Sequence, residues 1–391
     1  MAGSALLEGG HPWFAHTDTI ADASNKLAGG YVSFAHYDYL GLLKDPRMTA
    51  AAKAAIDEFG SGAGASRLVG GERTAHRKFE DDMAEFLGVG GVLALISGYL
   101  TNMSIISHFM GARDLVITDD LAHNSIVMGA KAGKFSHIKF RHNDLDHLEH
   151  ILTTERSKYA RVLIAAEGLY SMDGDLADLP RLVEIKDRHD AWLLLDEAHS
   201  YGVLGDAGRG LCERCGVDPE RVELQIGTLS KSFASSGGFI AASKVVIDWL
   251  RFTLPCFVYS VGLSPATLAT AQTALDILKA EPERVRALHR NSQMFLSKAR
   301  AAGLDTHTAV GEAVIPVLFQ TQEQTLAISQ ILLEQGIYAP PIIHVGVPKD
   351  LPRIRFFISA GHTEADIDRV VTALAQAAEM TADLVGKAVG T

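Results

Sequence analysis

Cysteine is scarce: the chain of 391 residues has three. Cys212 and Cys215 form a CxxC. No second Cys or His pair stands at ligand spacing, so a zinc site is not expected. The CERC opens no clear helix after a strand, as a redox pair would, and two ordinary thiols in a reducing compartment are expected. Long apolar runs are missing as well. Stretches such as AWLLLD and GVLALI are of strand length, too short to span a bilayer. The N-terminal MAGSALLEGGHPW has no basic region and no sustained apolar stretch, so no secretory signal is visible and a cytoplasmic protein is expected. Positive charge is in deficit: the net charge of -11 argues against a nucleic-acid partner, which needs a basic face. No internal repeat or low-complexity segment occurs. Hydrophobic residues make up 47% and charged residues 21%, an ordinary globular composition. The length suffices for two or three domains, or for one large core with a smaller satellite.

GVLALISG, DLVITDD, HIKFRHND, RVLIAAEG, AWLLLDEAH and GGFIAAS read as short buried strands closed by polar residues. HRKFEDDMAEFLG and LADLPRLVEIKDRHD, lying among them, have helical periodicity. This alternation predicts an α/β fold with a mostly parallel central sheet and helices on both faces. Ligands collect at the carboxyl ends of such strands. Ser97, Asp119, Glu167, Asp196 and His199 are therefore the first candidates. Beyond about residue 280 the pattern changes to a helix in EPERVRALHRNSQMFLSKARAAG, strands in AVIPVLFQ and RIRFFIS, and a helix in TEADIDRVVTALAQAAE. The expected division is an N-terminal arm over 1–45 that ends in YVSFAHYDYLG, a large domain over 46–280 and a small α+β domain over 281–391.

GTLSKSFASSGG holds one lysine, Lys231, among small and hydroxyl residues with no acid nearby. Such a lysine is often mere surface, but it is also how an amine is brought close to something small and tightly held. In WLLLDEAHSYG, Asp196 ends a buried strand and His199 follows three residues later. A half-desolvated aspartate needs a cationic or hydrogen-bonding partner. A protonated pyridine nitrogen is one, and pyridoxal 5′-phosphate (PLP) requires such an aspartate to make its ring an electron sink. PLP also requires a lysine for a Schiff base, which Lys231 offers, and a phosphate cradle. Backbone amides in SGYLTN (Ser97 to Asn102) at a strand-to-helix turn supply one, with the hydroxyls of Thr228 and Ser230 beside them. DEAH also invites an ATPase reading. That needs an upstream P-loop, and the nearest match, GAKAGKFS, has its glycines one residue too close and Phe135 where Ser or Thr is required.

GTLSKSFASSGG, LLLDEAHSYGVLGDAGRG, AEGLYSMDGDLADL, DYLGL and GSGAGASRLVGGERTAH together resemble the α-oxoamine synthase family of fold-type I PLP enzymes. The resemblance runs from about residue 30 to 380. It implies that Lys231 is the Schiff-base lysine, that Asp196 pairs with the pyridine nitrogen, and that His199 hydrogen-bonds the ring hydroxyl oxygen. His123 in DDLAHNSIVMGA matches the histidine that stacks on the ring; the alternative is a helix-start histidine satisfied by its own turn. Glu167 and Ser171 match residues beside cofactor and substrate. Gly98 and Tyr99 match the amide pair at the phosphate, with Thr228. Ser260 in VYSVGLSPA falls where the partner subunit of a homodimer brings a hydroxyl to the same phosphate. Arg355 in PRIRFFISAGHT matches the arginine that receives the substrate carboxylate through a bidentate fork.

The reaction implied is a decarboxylative Claisen-type condensation of glycine, alanine or serine with an acyl thioester of coenzyme A or a carrier protein. Lys231 anchors the cofactor first and then, as a free amine, removes the α-proton. The thiol leaves, CO2 is lost and an α-aminoketone results. AHYDYLGL, with His36, Tyr37 and Asp38, and APPIIHVGVP lean toward the serine palmitoyltransferase branch. 8-Amino-7-oxononanoate synthase and 2-amino-3-ketobutyrate CoA ligase activities are the alternatives, followed by another PLP reaction such as aminotransfer. A non-catalytic partner subunit, which lacks the lysine, is disfavoured by Lys231.

Overall fold

The computed structural model describes residues 26–27, 31–343 and 351–383. Most of the segment expected as an arm, and the HVGVP part of APPIIHVGVP, lie outside the described residues. The chain divides into two compact units. The larger comprises 45–170 and 176–282, and the smaller the described residues among 26–44, 171–175 and 283–383.

The larger unit is built on a seven-stranded sheet. Its spatial order is Gly91–Leu95, Gly238–Ala242, Leu224–Thr228, Trp192–Asp196, Val162–Glu167, Leu115–Asp119 and Ser136–Phe140. Only Gly238–Ala242 runs antiparallel to its neighbours. Most of the strands are near-continuous apolar runs because both faces are covered, the usual signature of a parallel sheet, whereas Ser136–Phe140 at the sheet edge is largely uncovered. Val162–Glu167 and Leu224–Thr228 are buried at every position. All six strands expected from the sequence are present. The seventh, Leu224–Thr228, was not expected, and it is the strand that leads to Lys231. The CERC lies in a five-residue helix, Leu211–Cys215. Burial raises both of its thiols above their usual range, which makes them poor nucleophiles.

The smaller unit pairs Val314–Leu318 and Pro341–Ile342 with the central strand Arg353–Phe357, all antiparallel. Helices Glu283–Ala301 and Glu364–Met380 belong to it. The second of these starts with a capping box in which Thr363 and Asp366 exchange hydrogen bonds. No described helix is long and apolar enough to cross a membrane.

Candidate active site

Parallel register sets the site in the larger unit. Glu167 lies opposite Asp196, and Asp196 opposite Ile226, two residues before Thr228. Three polar residues thus close three adjacent strands at their carboxyl ends. Asp196 is 4% exposed. Its Oδ1 accepts the Ala198 N–H at 2.9 Å, and its Oδ2 accepts the Asn102 side-chain amide at 2.6 Å. His199, also buried, sits in the turn that follows. Asp119 ends its strand in the same way but is committed locally. It accepts from Leu121 N, His142 Nδ1 and Asn143 N, all within 2.9 Å, and so closes turns.

Beside Asp196 the buried carboxyl of Glu197 is pushed up to about 7, mainly by burial. It accepts the Leu211 N–H at 3.0 Å and so ties down the segment that carries His199.

Thr228 leads into the loop that bears Lys231. The loop is closed on itself: Leu229 N–H donates to Gly237 O at 3.0 Å and Ser235 N–H to Leu229 O at 2.8 Å. Ser232 Oγ donates to the Tyr201 carbonyl at 2.6 Å, and Ser235 Oγ to the Thr267 carbonyl at 2.7 Å. The half-buried Lys231 therefore stands on a backbone pinned from both sides. Ala234 completes the turn at φ 45°, a left-handed conformation rare for a residue with a Cβ.

Opposite Thr228 begins the helix Gly98–Phe109, with Ser97 as its N-cap. The first amides of a helix have no partner within it and favour an anion. Gly98 approaches so closely that an added Cβ would meet Thr228 Oγ1 at 2.8 Å. Thr228 Oγ1 in turn lies 2.8 Å from Ser230 Oγ. The first turn of this helix at Gly98 thus stands beside two hydroxyls, of which Thr228 also donates to Gly237 O at 3.1 Å. The Tyr99 side chain is exposed and donates to Asn124 Oδ1 at 2.6 Å.

His123 caps the helix Asn124–Ala132, and its backbone N–H donates to Glu167 Oε1 at 2.6 Å. Its ring is exposed and meets the Tyr99 ring edge-on at 6.2 Å. Half-buried Ser260 precedes Val261, which bridges to Ser66. Among the described residues it makes no hydrogen bond to Gly98, Tyr99 or Thr228.

Ser171 belongs to the smaller unit although Glu167 does not. Arg355 Nη1 donates to the Ser171 carbonyl at 2.6 Å, and its guanidinium lies 4.4 Å above the Phe357 ring. Burial lowers its pKa, opposed by Tyr37 and Tyr39. Its neighbour Arg353, 1% exposed, donates to Asp173 Oδ1 at 2.6 Å and to Met172 O at 2.9 Å. Two arginines from one strand thus hold the 171–173 segment.

The family model for aminotransferase class I and II matches residues 30–374. The 8-amino-7-oxononanoate synthase 1 of Bacillus velezensis is 38% identical over 88% of this chain and 87% of its own. That of Fervidobacterium nodosum is 39% identical over 85% of this chain and 84% of its own. The chain belongs to the α-oxoamine synthases of this family. A solved serine palmitoyltransferase from Sphingomonas wittichii superposes with a TM-score of 0.91 at 31% identity, covering 97% of this chain and 96% of that one.

As an α-oxoamine synthase this is a PLP-dependent enzyme of acyltransferase type, with an amino acid and an acyl thioester as its class of substrates. The residues fit the cofactor. The buried Asp196 carboxylate matches a ring cation, and the Gly98 cradle, which a Cβ would fill, matches a phosphate. Sequence reasoning missed Asn102, the residue that holds Asp196. Its only signal was a buried amide in the first turns of the helix that follows the phosphate cradle.

Proposed function

We propose that this chain is a condensing enzyme of the 8-amino-7-oxononanoate synthase type, joining alanine to a seven-carbon dicarboxylic acyl thioester. The carrying observation is the identity of 34–39% to relatives so named, against 31% to the serine palmitoyltransferase. These relatives favour the activity that the sequence offered as an alternative over the serine palmitoyltransferase branch to which AHYDYLGL leaned. The substrates follow from the product in those relatives' name. An amino group on C8 beside a ketone on C7 means that C8 and C9 are the α- and β-carbons of alanine after loss of CO2. C1 to C7 are then the acyl group, with a carboxylate at its far end.

PLP, when bound, supplies the electron sink for the α-carbon. Asp196 would pair with the ring nitrogen and keep it charged. His199 would orient the ring through its hydroxyl oxygen, and His123 would cover its face, with Glu167 behind the His123 backbone. Gly98, Tyr99 and Thr228 would hold the phosphate, joined by Ser260 from the second copy in a homodimer. Lys231 would anchor the cofactor and, as a free amine, would take the α-proton on its Nζ and return a proton after CO2 leaves. Arg355, steadied against Ser171, receives the amino-acid carboxylate. A second reading, a serine palmitoyltransferase, is favoured by the superposition over 97% of the chain.

One experiment decides between them. Holoenzyme is given alanine, glycine or serine with a heptanedioyl or a palmitoyl thioester, on coenzyme A or carrier protein. CO2 release and product mass are recorded. The reading predicts turnover with alanine and the heptanedioyl thioester. Turnover confined to serine and palmitoyl thioester establishes the second reading, and CO2 release without an acyl donor rejects both.

A further inference from the structure

Four side chains in the larger unit form one unbroken hydrogen-bonded chain. Asn102 Nδ2 lies 2.6 Å from Asp196 Oδ2 and 3.0 Å from Ser125 Oγ. Ser125 Oγ lies 2.7 Å from His123 Nδ1, and the Ser125 backbone N–H donates to the same Nδ1 at 3.3 Å. Asn102 and Ser125 are 2% and 1% exposed, so bulk water does not compete for the two bonds that Asn102 makes.

Donor and acceptor chemistry gives the chain a direction. A carboxylate only accepts, so Asn102 turns its NH2 toward Asp196. The second amide proton then points at Ser125 Oγ, which accepts it. Ser125 spends its own proton on His123 Nδ1. Two donors, one hydroxyl and one backbone amide, converge on that nitrogen. An N–H there would face an N–H, so the ring proton sits on Nε2 and the imidazole is neutral. The nearby Glu167 carboxylate favours a cation, yet it takes the His123 backbone N–H. The orphan in the chain is Asn102 Oδ1, buried without a partner among the described residues. An amide retained only for packing would satisfy both its ends. This one leaves its acceptor unpaired, at a cost of about 1–3 kcal/mol, and places both amide protons on named acceptors.

We propose that Asn102 and Ser125 are positioning residues that fix His123 as the neutral Nε2–H imidazole and lock it in register with Asp196. The consequence for cofactor binding rests on the proposed function above. The proton arrangement does not, which allows the two to fail separately.

The test is two-bond 1H–15N correlation NMR of enzyme carrying 15N-histidine, with and without PLP. The His123 signal is assigned by its loss in His123→Gln. Wild type at neutral pH is expected to show the neutral Nε2–H pattern. Ser125→Ala, which keeps the backbone amide but removes the hydroxyl, is expected to lose the pure pattern to a tautomer mixture or to imidazolium. Ser125→Thr is expected to restore it. An Nδ1–H or imidazolium pattern in wild type overturns the proposal, even if every variant misfolds. So does an unchanged pattern in a folded Ser125→Ala. In parallel, PLP affinity is followed by visible absorption. Asn102→Ala is expected to weaken it about tenfold. An unchanged affinity overturns the link to Asp196, whereas a wild type that never binds PLP overturns the proposed function and leaves the imidazole result standing.

Discussion

Arg355 donates from Nη1 to the Ser171 carbonyl at 2.6 Å, while its buried Nε has no partner among the described residues. A buried guanidinium N–H without an acceptor is costly, and the amino-acid carboxylate proposed to bind Arg355 would relieve it. Arg355→Lys keeps the charge and loses the fork. The KM for the amino acid is expected to rise about ten- to a hundredfold, the value of one or two charge-assisted hydrogen bonds, with the KM for the acyl thioester little changed. Steady-state kinetics with each substrate varied in turn check this. An unchanged amino-acid KM would move the carboxylate to another residue.

Lys231→Ala separates holding the cofactor from using it. The phosphate cradle and Asp196 remain, so PLP still binds, without a covalent bond. Turnover is expected to fall by at least about a hundredfold, the usual worth of a positioned acid–base group. Borohydride reduction followed by peptide mass mapping should fix PLP on Lys231 in wild type and on no lysine in the variant. A label elsewhere in wild type would remove Lys231 from its role.

Gly98→Ala tests the cradle. The new methyl would stand 2.8 Å from Thr228 Oγ1 and 3.0 Å from its Cβ, so Thr228 must shift. Overpacking of this kind costs about 1–3 kcal/mol. PLP affinity is expected to fall about ten- to a hundredfold, read by dialysis against falling cofactor concentrations. Wild-type affinity in the variant would place the phosphate elsewhere.

The central sheet was legible because buried parallel strands are short apolar runs, and WLLLD and VLIAAE can hardly be read otherwise. LQIGT escaped because Gln225, Gly227 and Thr228 break the run. Yet Gln225 is buried, with its amide donating to Pro219 O at 3.0 Å, so the strand tolerates it. Asp196 was legible for the same reason as its strand. Asp119 followed the same rule and proved to be a turn residue, since sequence does not show which partner a strand-end carboxylate finds. Asn102 was missed because its partners are 23 and 94 residues away. Glu167 and Ser171 sit four residues apart in AEGLYSMDGD, yet they fall in different units, a division that only tertiary packing makes.

The pH dependence of stability carries a signature of Glu197. Its carboxyl is fully buried, and burial raises its pKa from 4.5 to about 7, with the neighbouring Asp196 charge adding to the rise. The folded state therefore holds this proton more tightly than the unfolded chain does. Stability from the group is complete below pH 4.5 and is lost progressively as pH rises to about 7. The full loss is about 3 kcal/mol. Glu197→Gln keeps an acceptor for the Leu211 N–H and removes the titration. The difference in unfolding free energy between wild type and variant, from denaturant melts at a series of pH values, is expected to shift against wild type as pH rises across this window. It should level off above it. A difference that stays flat would mean that Glu197 ionises in the folded protein as it does in water, and that burial is relieved by a partner that these bonds do not include.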